Sequence, residues 1–165
     1  MTDGTRRRRR SIRLAGRDYA APGVYFVTIC AQTRGDILGA ARGGEVALNA
    51  AGAMVRAYWL ALPSRFAAVA LDAWVVMPDH VHGLIDLRAA GGDHAGSPLR
   101  LGDIVGWFKT MTTNAYIRGV RDGRWPPFNG RLWQRNYYER IVRTDDALER
   151  VRAYIAQNPA NHRRR

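Results

Sequence analysis

Apolar and polar positions alternate in some short runs of the chain and recur every three to four residues in others, which divides it into strands and helices. "GVYFVTIC", from Gly23, follows a Pro-Gly turn signal and is rich in β-branched and aromatic residues, so it predicts a strand. Its expected partner is "GEVALN", after the glycine turn at Gly43 and Gly44. Positions 49–66 have helical composition, with Val55, Tyr58, Trp59 and Leu62 at helical intervals and Pro63 placed to end or kink the element. "AVALDAWVVMP" and "HVHGLIDL", broken by Pro78 and Asp79, predict two adjacent strands. A Gly-rich loop over 88–100 precedes a second helix marked by Ile104, Phe108, Met111 and Ala115. Residues 121–130 read as a loop, "LWQRNYYERIVR" as a strand or extended segment, and "DDALERVRAYIAQN" as a last helix stopped by Pro159.

With the early hairpin set aside, the order is β-α-β-β-α-β, the ferredoxin-like pattern, followed by an additional C-terminal helix. The expected architecture is α+β, an antiparallel sheet faced by helices. RNA-recognition modules share that plan, so the fold alone assigns no function. The length of 165 residues and the 47% hydrophobic content suit one domain with a real core. Charge changes the picture more, with 26 basic residues against 14 acidic ones and a net charge of +12. Lys109 is the only lysine, so the other 25 basic residues are arginines. Such an excess implies a polyanionic partner, nucleic acid first.

Cys30 is the only cysteine, which excludes an intramolecular disulfide and a thiolate zinc cluster and gives an intracellular, cytoplasmic reading. The arginine pairs near the start lack the apolar core of an export signal, because Gly16, Arg17 and Asp18 interrupt at once. No apolar run approaches the roughly 18 residues of a membrane span. Residues 1–17, with Arg6 to Arg10, are expected to form a disordered basic arm, 18–160 the folded domain, and 161–165 a basic tail.

Candidate chemistry starts at His80 and His82. On a strand, residues two apart point the same way, so both imidazoles can converge on one ion, although packed histidines with no ligand role are common. In the last helix Tyr154 and Asn158 are four residues apart and share a face. Taken singly, Tyr154 could be a core tyrosine, and Asn158 before Pro159 suits a helix end. Taken together, two imidazoles and a side-chain carbonyl make an incomplete shell for a divalent cation, open to substrate oxygens, and a hydroxyl beside it is a candidate nucleophile.

The segments "RDYAAPGVYFVTIC", "AWVVMPDHVHGLIDL", "LWQRNYYERIVR" and "VRAYIAQNP", in that order, span most of the chain from Asp18 to Pro159. In them the sequence resembles the single-tyrosine HUH transposases, and especially the REP-associated tyrosine transposases, in which two histidines flank one hydrophobic residue. The resemblance implies an HUH-type catalytic domain over 18–160. It also implies metal-binding roles for His80, His82 and Asn158, with Mg²⁺ or Mn²⁺ as cofactor, and a nucleophilic role for Tyr154. Family members cut single-stranded DNA, usually beside a hairpin, through a 5′-phosphotyrosine link, and rejoin it by reversing the same chemistry. Some relatives dimerise and exchange their tyrosines while others act alone, so a homodimer is one implied arrangement. The chain stops soon after "NPANHRRR", whereas relatives often continue with further aromatic-containing sequence.

Between positions 118 and 143 lie seven arginines, Arg118, Arg121, Arg124, Arg131, Arg135, Arg140 and Arg143, against two acids, Asp122 and Glu139. Trp125, Phe128, Trp133, Tyr137 and Tyr138 are interleaved with them. Cations among flat rings are the composition of a single-strand groove. We therefore assign DNA contacts to the seven arginines with Trp133, Tyr137 and Tyr138, the alternative being that Trp133 and one tyrosine fill the core. Tyr137 and Tyr138 also compete with Tyr154 as nucleophiles. Asp79 and Asp86 could join the metal environment, with a solubilising strand-end role as the alternative for Asp86, while His94 and His162 have no evident partner. Two rival readings remain: a non-enzymatic nucleic-acid-binding module with its aromatics across the sheet, and a domesticated transposase that keeps the chemistry.

Overall fold

In the computed structural model, which describes residues 21–88 and 99–161, a four-stranded antiparallel sheet carries the molecule. Its strands are β1 (Gly23–Cys30), β4 (Val69–Val76), β5 (His80–Leu87) and β6 (Tyr138–Val142), in the spatial order β4-β5-β1-β6. That is the order expected of a ferredoxin-like β-α-β-β-α-β chain, so the predicted fold class holds. The predicted arm, the tail beyond Asn161, most of the Gly-rich loop, and His94 and His162 lie outside the described residues.

β2 (Gly39–Arg42) and β3 (Glu45–Leu48) pair only with each other. The pairing expected between "GEVALN" and β1 therefore does not form. Gly43 and Gly44 both have positive φ, 60° and 85°, the geometry of a tight two-residue hairpin turn, which folds β3 back on its immediate neighbour. Both edges of β1 are meanwhile occupied, by β5 and β6.

α1 (Ala50–Leu60) starts where Asn49 accepts the Gly52 N–H at 2.9 Å, and the chain restarts as the short α2 (Leu62–Arg65) with Pro63 in its first turn. α1 packs with α3 (Leu101–Arg121) over one sheet face, burying Val55, Trp59, Ile104 and Phe108 against Tyr25, Val27, Ile29, Val81 and Ile85. α4 (Asp145–Asn161) covers the other face, setting Val151 and Ile155 on Phe26, Leu84 and Val142. The central strands are covered on both sides, which is why β1 and β5 read as nearly continuous apolar runs.

α4 departs from expectation at its end, continuing through Pro159 to Asn161. So close to the terminus, the missing proline N–H forfeits a single helical bond, a loss the helix tolerates. Its middle is fixed to the sheet. Between Leu71 and Trp74 the β4 register slips against β5, and in this bulge Asp72 accepts two hydrogen bonds from Arg152 of α4, at 3.0 and 2.6 Å.

Candidate active site

His80 and His82 occupy the first and third positions of β5, opposite Cys30 and Thr28 of β1, and point to the face covered by α4. Each ring is held by its outer nitrogen. His80 Nδ1 donates to the Asp79 carboxylate at 2.7 Å, and His82 Nδ1 lies 2.8 Å from the Thr28 hydroxyl. The tight β4–β5 connection places Asp79: its carbonyl accepts from Ala31 N–H at 2.7 Å, and Met77 N–H bonds back to His80 O at 2.7 Å. The two inner nitrogens converge, Nε2 to Nε2, at 3.1 Å.

That separation fits a metal ion. Two ligand nitrogens about 2.1 Å from a cation and at right angles to each other stand about 3.0 Å apart. Burial, and behind it the neighbouring His80, push the His82 pKa down to about 3, so its imidazole is neutral at any working pH. A neutral imidazole has one N–H. When Thr28 accepts it at Nδ1, the Nε2 lone pair is free for an ion; when Thr28 donates instead, Nε2 keeps the proton and bonds to His80. The Thr28 hydroxyl thus serves either tautomer, and an ion at Nε2 would select the one it accepts from. Among the described residues no group of three or more His, Cys, Asp or Glu side chains is assembled, so a third protein ligand here would be of another type, such as an amide oxygen.

α4 brings Tyr154 to this pair. Its ring centroid lies 5.3 Å from that of His82 and 6.0 Å from that of Phe26, perpendicular to the latter, and the residue is 50% exposed. Phe26 stacks on His82 at 5.6 Å, so one buried phenylalanine supports both rings. Asn158, half-buried, follows one helical turn after Tyr154. Asp79 acts on the pair through His80, and Asp86 sits at the far end of β5 with Arg88 at 3.4 Å.

The residues assigned to DNA divide. All seven arginines are exposed. Arg131 and Arg135 line a shallow cleft of about 400 Å³ with Lys109, Thr113 and Asn114, between α3 and the segment before β6. Arg124 is paired with Asp122 at 2.6 Å. Trp133 is corrected: it is 4% exposed, belongs to the core, and donates its indole N–H to Thr112 at 2.8 Å, so it has no face to offer a base. Tyr137 is half-buried, with the Lys109 ammonium 5.3 Å from its ring centre. Tyr138, by contrast, is 55% exposed. Helices pack on both sheet faces, α1 with α3 on one and α4 on the other, so among the described residues the aromatics left exposed are Tyr138 and Tyr154, beside the histidine pair and not spread across an open sheet.

Sequence reading missed Phe26, Thr28 and the Asp72–Arg152 link. Alternation along β1 puts Phe26 and Thr28 on one face, but only the register with β5 shows that this is the face of the histidines.

Comparison with known proteins places the chain in a family. The sequence model of the family described as "Transposase IS200 like" matches residues 64–158, which include both histidines, Tyr154 and Asn158. The chain belongs to the IS200-like transposase family, a class of DNA-processing enzymes. It is 33% identical, over 168 aligned positions covering 92% of this chain and 88% of the other, to an uncharacterized protein of Haemophilus influenzae. Its fold is similar to a REP-associated tyrosine transposase bound to a REP hairpin, with a TM-score of 0.63 and 21% identity over 88% of this chain and 72% of that one. It is also similar to a putative transposase from Deinococcus radiodurans, with a TM-score of 0.52 and 19% identity over 87% and 95% of the two chains. No helix among the described residues is long and apolar enough to cross a membrane.

Proposed function

We propose that the protein is a REP-associated type of tyrosine transposase that nicks and rejoins single-stranded DNA beside a hairpin, using Tyr154 as nucleophile and a divalent cation. The observation that carries this reading is the Tyr154 ring 5.3 Å from His82, whose Nε2 meets that of His80 at 3.1 Å, all within one chain. His80 and His82 would hold Mg²⁺ or Mn²⁺ through Nε2, and Asn158 would add its amide oxygen. When bound, the cation polarises the scissile phosphate and stabilises its developing charge.

Tyr154 forms a bond from its phenolic oxygen to phosphorus as the bond to the 3′ oxygen breaks. The phenol gives up its proton and the departing oxygen gains one, leaving a 5′-phosphotyrosine and a free 3′-hydroxyl. Because the link keeps the phosphoester bond, attack by another 3′-hydroxyl rejoins the strand, which a nuclease using water cannot do. The exposed arginines bind the phosphates. α4 packs on its own sheet, so Tyr154 acts in cis and a homodimer is not needed for chemistry.

The test incubates the protein and Tyr154→Phe with labelled single-stranded hairpin DNA, in Mg²⁺, in Mn²⁺ and in chelator, followed by denaturing electrophoresis. A metal-dependent covalent adduct absent from the variant is expected. Adduct that survives in the variant moves the nucleophile to another tyrosine, and tight binding without adduct favours a binding module. A mixture of Tyr154→Phe with His82→Ala should give no adduct; recovery in the mixture would mean catalysis in trans.

A further inference from the structure

Three large hydrophobic residues stand exposed among the described residues: Leu60, Tyr138 and Tyr154. Two of them share one face of the sheet and one neighbour. Phe26 receives Tyr138 edge-on at 6.2 Å and Tyr154 edge-on at 6.0 Å, while its own face is taken by His82. The proposed chemistry accounts for an exposed Tyr154. Nothing in the packing accounts for Tyr138, since a tyrosine 55% open to water leaves much of its apolar surface unburied.

Its position is fixed by register. Tyr138 of β6 pairs with Thr28 of β1, and Thr28 pairs with His82 of β5, so the three residues form one row across three strands. Two strand spacings, about 10 Å, separate the ends of that row. Tyr138 therefore lies within reach of a nucleotide whose phosphate is at the histidine pair. Two residues along β6 on the same face, Arg140 stands exposed opposite Phe26. An open aromatic face beside an unburied guanidinium suits a nucleotide, a base for the ring and a phosphate for the cation.

We propose that Tyr138 is the base-stacking platform of the active site, taking the nucleobase next to the scissile phosphate while Arg140 holds the adjoining phosphate. The assignment rests on the transposase reading. It makes Tyr138 a binding residue that works through its ring face, not through its hydroxyl, and so separates it from the nucleophile.

The test uses the full chain carrying Tyr154→Phe, in chelator, so that neither nicking nor metal enters the measurement. The probe is a single-stranded hairpin oligonucleotide with 2-aminopurine placed in turn at each unpaired position beside the stem. At one position the fluorescence should be quenched on binding. Tyr138→Ala should abolish that quenching and weaken binding between about fivefold and about 150-fold, the equivalent of one lost base stack. Tyr138→Phe should rescue both. Unchanged affinity and quenching in Tyr138→Ala would overturn the proposal, as would a Phe variant as defective as the Ala one. Adduct formation with Tyr154 intact tells the two readings apart. Adduct with no effect of Tyr138→Ala on binding refutes the platform alone, whereas Tyr138-dependent quenching with no adduct from any chain refutes the chemistry alone.

Discussion

Replacing Thr28 by valine tests how the histidine pair is prepared for an ion. The change keeps the β-branched shape and strand preference and exchanges one hydroxyl for a methyl. What it removes is the partner 2.8 Å from His82 Nδ1, on a residue only 5% exposed. An ion at Nε2 forces the ring proton onto Nδ1, which in the variant faces a methyl group and has no acceptor. A buried donor left without a partner costs about 1–3 kcal/mol, and loss of such an outer contact on a ligating histidine typically weakens metal affinity about 10–100-fold. The cost falls mainly on the ion-bound state. In the metal-free protein the other tautomer still places its proton, with Nε2–H donating to His80 over 3.1 Å, and only the Nδ1 lone pair loses its donor, the smaller loss. Titration calorimetry with Mn²⁺ should therefore show affinity reduced by about one to two orders of magnitude, with little change in urea midpoint in chelator. Thr28→Ser should restore binding. Unchanged Mn²⁺ affinity in Thr28→Val, or an equal loss in Thr28→Ser, would refute the reasoning.

Further outcomes follow from the same geometry. Because the His82 pKa is lowered from 6.5 to about 3, the unfolded chain binds more protons between those values, so metal-free stability is full above about pH 6.5 and falls as pH drops toward 3. Urea titrations in chelator should show a slope of up to about 1.4 kcal/mol per pH unit in that window, absent in His82→Gln; equal slopes would contradict the assignment. Gly83→Ala would place a Cβ 2.2 Å from Cζ2 of Trp59, which is fully buried and edge-on to Phe108 at 5.4 Å, so a loss of about 1–3 kcal/mol or more is expected from chemical denaturation. Arg152 holds the Asp72 carboxyl below its usual range by hydrogen bonding, and Asp72→Asn should loosen α4 where it carries Tyr154. Single-turnover assays should then show slower adduct formation with hairpin affinity retained, partly recovered by the exchange of Asp72→Arg with Arg152→Asp; an unchanged rate would show that the link does not position the tyrosine.

Much of the site was legible because it depends on local periods. A period of two on "HVHGLIDL" places His80 and His82 on one face wherever the strand goes, and a period near four places Tyr154 above Asn158 on α4. The order of elements in turn predicted the ferredoxin-like sheet. Two of the misreadings share one cause, which is that burial and pairing depend on distant residues. Trp133 looks like a base-stacking ring beside its arginine neighbours, yet Thr112 and Phe108 of α3 enclose it. β3 looks like a partner for β1 until β5 and β6 take both of its edges. Pro159 looks like a stop, but its cost depends on how many helical bonds remain beyond it.

By itself, then, the sequence determined which residues share a face, which elements alternate, and that the chain carries a large positive charge. Only the tertiary structure decided that Thr28 reaches His82 across 54 positions, that Asp72 reaches Arg152 across 80, and that α4 lies on the histidine face, with Tyr154 at His82 and Tyr138 left open beside Phe26. The physical reason is that side-chain direction within an element follows from backbone geometry alone, whereas strand register and helix docking are settled by burial of apolar surface over the whole chain.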